Sequence, residues 1–236
     1  MLVAGSAVDR VPGPKYCAKL GFAEFGPRAP LPRPPTLRRM RHEQLPADFL
    51  VSLRAPRSTL VSARGPLRFD DELERAWEWL LKTRDALAAK FVVLPTPPDL
   101  TPGQRDRDLL AALSARLPKE AGRYWVWEPS GPWEPDEAER VATALGFVLA
   151  FDPLLDRVPQ GPIAYARLRA LGARKTFSDA VLEDVSARLG AAMSAESFVV
   201  IDAQRAFEYA VRLEQLASPV AGAPGNESAP PAHDAR

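Results

Sequence analysis

The chain has 236 residues, 46% of them hydrophobic, with a formal net charge of +1. That apolar content builds a large core but is too low for a membrane-embedded chain, and so small a net charge directs whole-molecule electrostatics at no particular partner. The single cysteine, Cys17, excludes an internal disulfide.

In chain order, short apolar runs ending on polar or turn residues alternate with helix-like segments. The runs are Leu2–Gly5, Phe22–Gly26, Phe49–Arg54, Phe91–Pro95, Arg123–Glu128, Phe147–Asp152, Ile163–Leu168 and Phe198–Asp202. This alternation predicts parallel strands joined by crossover helices. Eight strands in a chain of this length predict an α/β fold, a single (β/α)8 TIM-type barrel. The domain is expected over residues 1–216.

The N-terminus has no basic start, apolar middle or small-residue cleavage site, so a cytoplasmic location is expected. Cys17, beside Tyr16 and near Leu20, reads as a buried structural thiol rather than a nucleophile. After the second strand, Pro27-Arg28-Ala29-Pro30-Leu31-Pro32-Arg33-Pro34-Pro35 is too proline-rich for a helix or strand interior, and a short helix from Thr36 to about His42 follows. Between Arg28 and Arg68 nine arginines face two acidic residues, Glu43 and Asp48. That excess is either a compositional habit of spelling surface cations as arginine or a surface for carboxylate or phosphate.

The later helices carry clearer punctuation. Asp70–Lys90 places Leu73, Trp77, Leu80, Leu81 and Leu87 on one face, opened by Asp71 with Glu74. In Thr101-Pro102-Gly103-Gln104, Thr101 reads as N-cap, Pro102 as the first helical position and Gln104 as the third. Pro135 opens a helix that Gly146 closes. Ser178 precedes another, and the last runs from about Ala203 to Leu216. Residues 217–236 are rich in Pro, Ala, Gly and Ser and are expected to form a disordered tail. It holds His233, one of only two histidines.

In a barrel, inward residues at the C-terminal strand ends converge on one pocket. Here those are Glu24, Arg54, Glu128, Asp152, Arg167, Arg169 and Asp202. Glu24 and Asp152 are the acid–base candidates. Arg54, Arg57, Glu128, Arg167 and Arg169 are ligand-binding candidates, with Trp133 as a stacking surface. The bland alternative is a lattice of ion pairs that caps the mouth. Trp125 and Trp127 read as packing between barrel and helices. No histidine or cysteine spacing resembles a metal site, no glycine-rich phosphate loop follows a strand, and no cofactor is expected.

Six segments, in order, resemble the YecE-like family, the domain of unknown function number 72. Lys15–Phe25 is similar to its YA-x-x-F-x-x-VE-I stretch, Phe49–Arg57 to its third strand and Phe91–Pro98 to its L-x-Q-L-P-P strand. Trp125–Trp133 occupies the place of V-E-x-R-H-x-S-W. Ile163–Leu168 resembles Y-V-R-L-H-G, and Ala206–Ala210 resembles the closing A-x-x-N-A helix. The resemblance implies a (β/α)8 barrel, its first βα unit shortened after Ser6, without a settled reaction, and kinship with sugar-isomerase and nuclease barrels.

Glu24, Trp133, Tyr165 and Arg167 match the family. Gly26, Arg54, Leu60, Val93, Pro129-Ser130 and Arg169 stand where it has other, mostly polar, groups. The family's fifth-strand Glu falls on Trp127, or on Glu128 after a one-residue slip. The resemblance therefore implies a non-catalytic barrel that binds an anionic small molecule or a protein partner. The alternative is an enzyme acting on a phosphorylated sugar or nucleotide-like substrate at the C-terminal face. Nucleic acid is the weakest of the partners considered, and no membrane partner is expected.

Overall fold

The computed structural model describes residues 1–170 and 176–217. Eight strands close into a parallel barrel: β1 (Leu2–Val8), β2 (Phe22–Phe25), β3 (Leu50–Arg54), β6 (Phe91–Pro95), β7 (Tyr124–Glu128), β8 (Val148–Phe151), β9 (Ile163–Arg169) and β10 (Glu196–Asp202). The barrel shuts where β1 meets β2, with Ser6 opposite Ala23, Ala7 opposite Glu24 and Val8 opposite Phe25. All eight strands coincide with the apolar runs of the sequence. A two-stranded hairpin, β4 (Val61–Ser62) with β5 (Gly65–Pro66), interrupts the connection out of β3. Strands this short leave no periodicity to read.

Each helix comes after its strand in the crossover order: α1 (Pro14–Cys17), α2 (Pro34–Gln44), α3 (Asp71–Ala86), α4 (Gln104–Arg116), α5 (Pro135–Leu145), α6 (Asp179–Gly190) and α7 (Ala206–Ala217). The four-residue α1 is the shortened first unit. No helix joins β8 to β9. Residues 152–162 cross instead as a loop containing Pro153, Pro159 and Pro162. The tail expected over residues 217–236, with His233, falls outside the described residues beyond Ala217.

Several caps differ in detail from the sequence reading. Asp70, not Asp71, caps α3 by accepting from the Leu73 amide at 3.0 Å, and α3 ends at Ala86 rather than Lys90. Thr101 is not the cap of α4. Its amide and hydroxyl both donate to Asp106 Oδ2 at 2.8 Å, which holds Thr101 in the preceding turn and leaves Gly103 at the cap. Gly146 closes α5 in the left-handed conformation (φ 75°), and Ser178 caps α6 by accepting from the Val181 amide.

Alternation along the strands sorts side chains between the barrel interior and the helix layer. Inside lie Phe22, Phe91, Val93, Val126, Tyr165, Phe198 and Val200. At the N-terminal end, Lys90 Nζ sits 4.6 Å over the Phe198 ring and 2.7 Å from Glu196 Oε2. Gly5 also faces inward. A Cβ there would stand 2.4 Å from the Phe22 carbonyl oxygen, so β1 approaches β2 as closely as it does only because position 5 has no side chain.

Outside, Trp127 is fully buried against the helices with its Nε1 donating to Thr96 Oγ1 at 3.0 Å. Trp125 donates to the Pro118 carbonyl and packs on Trp77. Both tryptophans are packing groups, as expected. Cys17 is half-buried against the core, and burial pushes its thiol above the usual cysteine range. Among the described residues, no helix is long and apolar enough to cross a membrane.

Candidate functional site

The two-residue period that sends Phe22, Val126, Ala150, Tyr165 and Val200 into the barrel also sets the next inward position on each of those strands. Glu24, Glu128, Asp152, Arg167 and Asp202 stand there, at or just beyond the C-terminal ends. Arg54 ends β3 in the same way, two residues after Ser52. The charged groups therefore form a layer directly above the apolar interior.

That layer is built on Glu24, which is 1% exposed. Its Oε2 accepts from the Tyr165 hydroxyl at 2.9 Å, and its Oε1 accepts from Arg167 Nη1. The Tyr165 hydroxyl lies 2.7 Å from Ser52 Oγ. Since Tyr165 donates to Glu24, Ser52 donates to Tyr165. Arg167, 4% exposed, reaches on to Asp202 Oδ2 at 2.6 Å. Glu128 accepts from Arg54 Nη1 and lies 3.4 Å from Arg169 Nη1 and 3.7 Å from Arg167 Nε. Among the described residues, Arg167 Nε is buried with no hydrogen-bond partner.

Charge states are set by this pairing. Burial works to raise the pKa of Glu128, but Arg54, Arg167 and Arg169 outweigh it and hold the carboxyl below the usual glutamate range. Burial likewise disfavours charged Arg167, yet Glu24, Glu128 and Asp202 keep it firmly protonated. Burial, then the neighbouring Glu24 charge, lifts Tyr165 well above the ordinary phenol range. Tyr165 is a fixed neutral donor.

Asp152 stands apart from this lattice. Its Oδ1 accepts from the Leu154 amide at 3.0 Å, and its own amide donates to Asp156 Oδ2 at 2.8 Å. Burial pushes its carboxyl above the usual aspartate range, and Asp156 adds to the rise while Leu154 and Arg169 oppose it. Asp152 lines a cleft of about 180 Å³ together with Glu128, Trp133, Asp156, Arg167 and Arg169. Trp133 presents a wall of this cleft. Its Nε1 is tied to the Leu100 carbonyl at 2.8 Å and its ring stands edge-on to Trp127.

The Arg54–Glu128 pair divides the mouth. Glu128 lines the cleft, whereas Arg54 lines a second recess on the other side, with Arg57. Arg57 is exposed on a 3-10 turn (Arg57–Thr59) and lies outside the ion-paired lattice. Elsewhere in the arginine-rich stretch, Arg41 donates to the carbonyls of Leu45, Pro46, Ala47 and Phe49, closing the end of α2. Arg28 pairs with Asp9, and Arg39 with Glu43. Part of the arginine excess is therefore structural.

Of the residues singled out from sequence, Glu24, Arg54, Glu128, Arg167, Arg169 and Asp202 meet in one network. Asp152 and Trp133 border it, and Arg57 faces the second recess. Sequence reasoning missed Ser52, Asp156 and Arg157, the last of which lines the cleft and pairs with Asp136 and Glu139. Ser52 had a signal, because it shares the inward parity of Arg54. Among the described residues, no cluster of three or more His, Cys, Asp or Glu side chains is placed to hold a metal ion.

No family profile matches the chain, and no curated protein sequence does. Solved structures do match. A DUF72 family protein of Enterococcus faecalis V583 superimposes with a TM-score of 0.70 at 11% identity, covering 92% of this chain and 95% of its own. A DUF72 family protein of Thermotoga maritima MSB8 gives 0.63 at 13% identity, over 92% and 98%. SacUVDE gives 0.55 at 9% identity, over 86% and 81%. The barrel has the fold of the DUF72 proteins, the YecE-like family that its sequence resembles.

Proposed function

We propose that this protein is a non-catalytic barrel whose mouth binds a small anionic molecule, a carboxylate held in the cleft beside Asp152. The observation that carries this reading is the contrast between a locked lattice and an open cleft. Glu24, one of the two acid–base candidates, and Glu128 are tied as counterions to arginines, while Asp152 and Arg169 line the cleft.

The protonated form of Asp152, which burial favours, donates one hydrogen bond to a ligand oxygen. Arg169, with its side chain 44% exposed, supplies a charge-assisted pair. Trp133, Leu149 and Phe151 give the apolar wall that small-molecule sites require.

The test is thermal unfolding with acetate, lactate and malonate as probes. At twenty times its dissociation constant, a ligand that binds only the folded state adds about 2 kcal/mol, or roughly 4–8 °C for a chain of this size. At least one probe should give such a shift, and Arg169→Ala should abolish it. Equal shifts in parent and Arg169→Ala, or none at all, would sink the proposal.

Stability should also fall as pH rises. Asp152 binds its proton more tightly in the folded chain than in the unfolded one, where its pKa is about 3.9. Stability tied to that proton is full below the unfolded value and is lost as pH rises through the higher folded value. Relative to Asp152→Asn, the parent should therefore lose stability as pH climbs from about 4 through the raised folded value. A parent-minus-variant difference that stays flat with pH would remove Asp152 from the argument.

The raised Asp152 carboxyl also favours a second reading, an enzyme acting on a phosphorylated sugar or nucleotide-like substrate, with Asp152 as general acid. Turnover of such a substrate by the purified protein, lost in Asp152→Asn, would replace the binding reading with this one.

A further inference from the structure

The recess on the far side of the Arg54–Glu128 pair has a volume of about 400 Å³, and among the described residues no carboxylate lines it. In this it differs from the cleft, whose walls include Glu128, Glu139, Asp152 and Asp156. Among the described residues its cations are Arg54 and Arg57, and Pro27, Pro56, Pro97 and Pro98 form much of its wall.

We propose that this recess is a second ligand site, built for a phosphate monoester and independent of the carboxylate cleft. Arg54 is anchored through Nη1 to Glu128, and its side chain is 26% exposed. Among the described residues its Nε and Nη2 donate to nothing, so three directed N–H bonds remain for a ligand. Arg57 makes no ion pair or hydrogen bond through its side chain among the described residues. A planar guanidinium with unspent donors matches phosphate oxygens, and two such groups suit a dianion better than a single carboxylate.

The recess is also preorganised. The turn carrying Arg57 is fastened by Thr59 Oγ1 donating to the Pro56 carbonyl at 2.7 Å. Thr59 and Leu60 are both fully buried beneath it. Arg54 is held by its ion pair. Little backbone freedom is therefore lost when an anion enters. Rigid proline rings offer an apolar surface to the organic part of the ester, so inorganic phosphate should bind more weakly than a phosphate joined to a compact apolar body.

The experiment is isothermal titration of the full chain with inorganic phosphate and with phenyl phosphate. Three proteins are compared first: the parent, Arg57→Ala and Arg169→Ala. Arg57 is exposed at its turn, so its removal leaves the fold intact, and circular dichroism checks this. The parent should bind both probes saturably, phenyl phosphate at least threefold more tightly. Arg57→Ala should weaken both at least fivefold, and Arg57→Lys should recover only part of the loss. Arg169→Ala should bind as the parent does.

Unchanged binding in Arg57→Ala would overturn the proposal, as would an absence of phosphate binding. Loss of phosphate binding in Arg169→Ala would place the anion in the cleft and overturn it too. The carboxylate reading of the cleft fails separately, on the carboxylate probes.

Discussion

Glu24→Ala is expected to lower stability by about 3 kcal/mol, at the bottom of the range for breaking a buried ion pair. In a chain of this size that is roughly 6–12 °C in melting temperature. The loss has two sources. Arg167 keeps Asp202, but Asp202 lies at the exposed rim, and the buried half of the guanidinium loses its nearest counterion. Tyr165 loses the acceptor of its hydroxyl in a fully buried position, and an orphaned buried donor is costly on its own.

The control is the apolar double replacement Glu24→Leu with Arg167→Met, together with Tyr165→Phe. It removes the charges and the stranded hydroxyl at once. A buried charged pair exchanged for apolar groups of similar size is often neutral or stabilising, so this triple variant should be more stable than Glu24→Ala alone. Urea unfolding checks both. If Glu24→Ala comes within about 0.5 kcal/mol of the parent, well short of the cost of a stranded buried charge, the lattice supplies no net stability and its role as a lock on the mouth is lost.

The same lattice shows how far the sequence could be read. The eight strands were legible because each is buried on both faces and so stands out as a continuous apolar run. The charged layer was legible too, because a period of two places Glu24 above Phe22 and Arg167 above Tyr165 wherever the strand is inward. What pairs with what was not legible. Ser52 and Tyr165 are 113 positions apart, and only the closure of the barrel decides that their hydroxyls meet. The split of the mouth depends on one contact, Arg54 to Glu128, between side chains from different strands. Thr101 misled because the motif Thr-Pro-Gly-Gln cannot show that Asp106, five residues on, takes the hydroxyl. The hairpin of β4 and β5 and the missing helix after β8 are likewise decided by turn chemistry rather than by periodicity.

Phe91→Ala should cost about 3–5 kcal/mol, the range for deleting a buried phenylalanine ring. Phe91 is the common neighbour of the barrel's interior rings. Its centroid lies 4.6 Å from Phe198, 5.2 Å from Tyr165, 5.6 Å from Tyr124 and 6.3 Å from Phe22, and it has no exposed surface. A barrel limits collapse around such a deletion, because strand positions are fixed by hydrogen bonds to both neighbours and cannot close in on the void. The cavity term, about 24 cal/mol for each Å³ left empty, should therefore be felt nearly in full. Phe91→Leu keeps most of the volume and should cost markedly less.

The void would also open beneath Tyr165, whose hydroxyl supports Glu24 from below. Phe91→Ala should then weaken the coupling between Tyr165 and Glu24. In a double-mutant cycle, Tyr165→Phe should cost less in the Phe91→Ala background than in the parent. Strict additivity of the two losses would mean that the charged layer is held by its own ion pairs alone and rests on nothing beneath it. A positive coupling would show that the mouth's geometry is set from the packed interior upward, the physical reason a site built on inward strand positions can survive wholesale replacement of the loops around it.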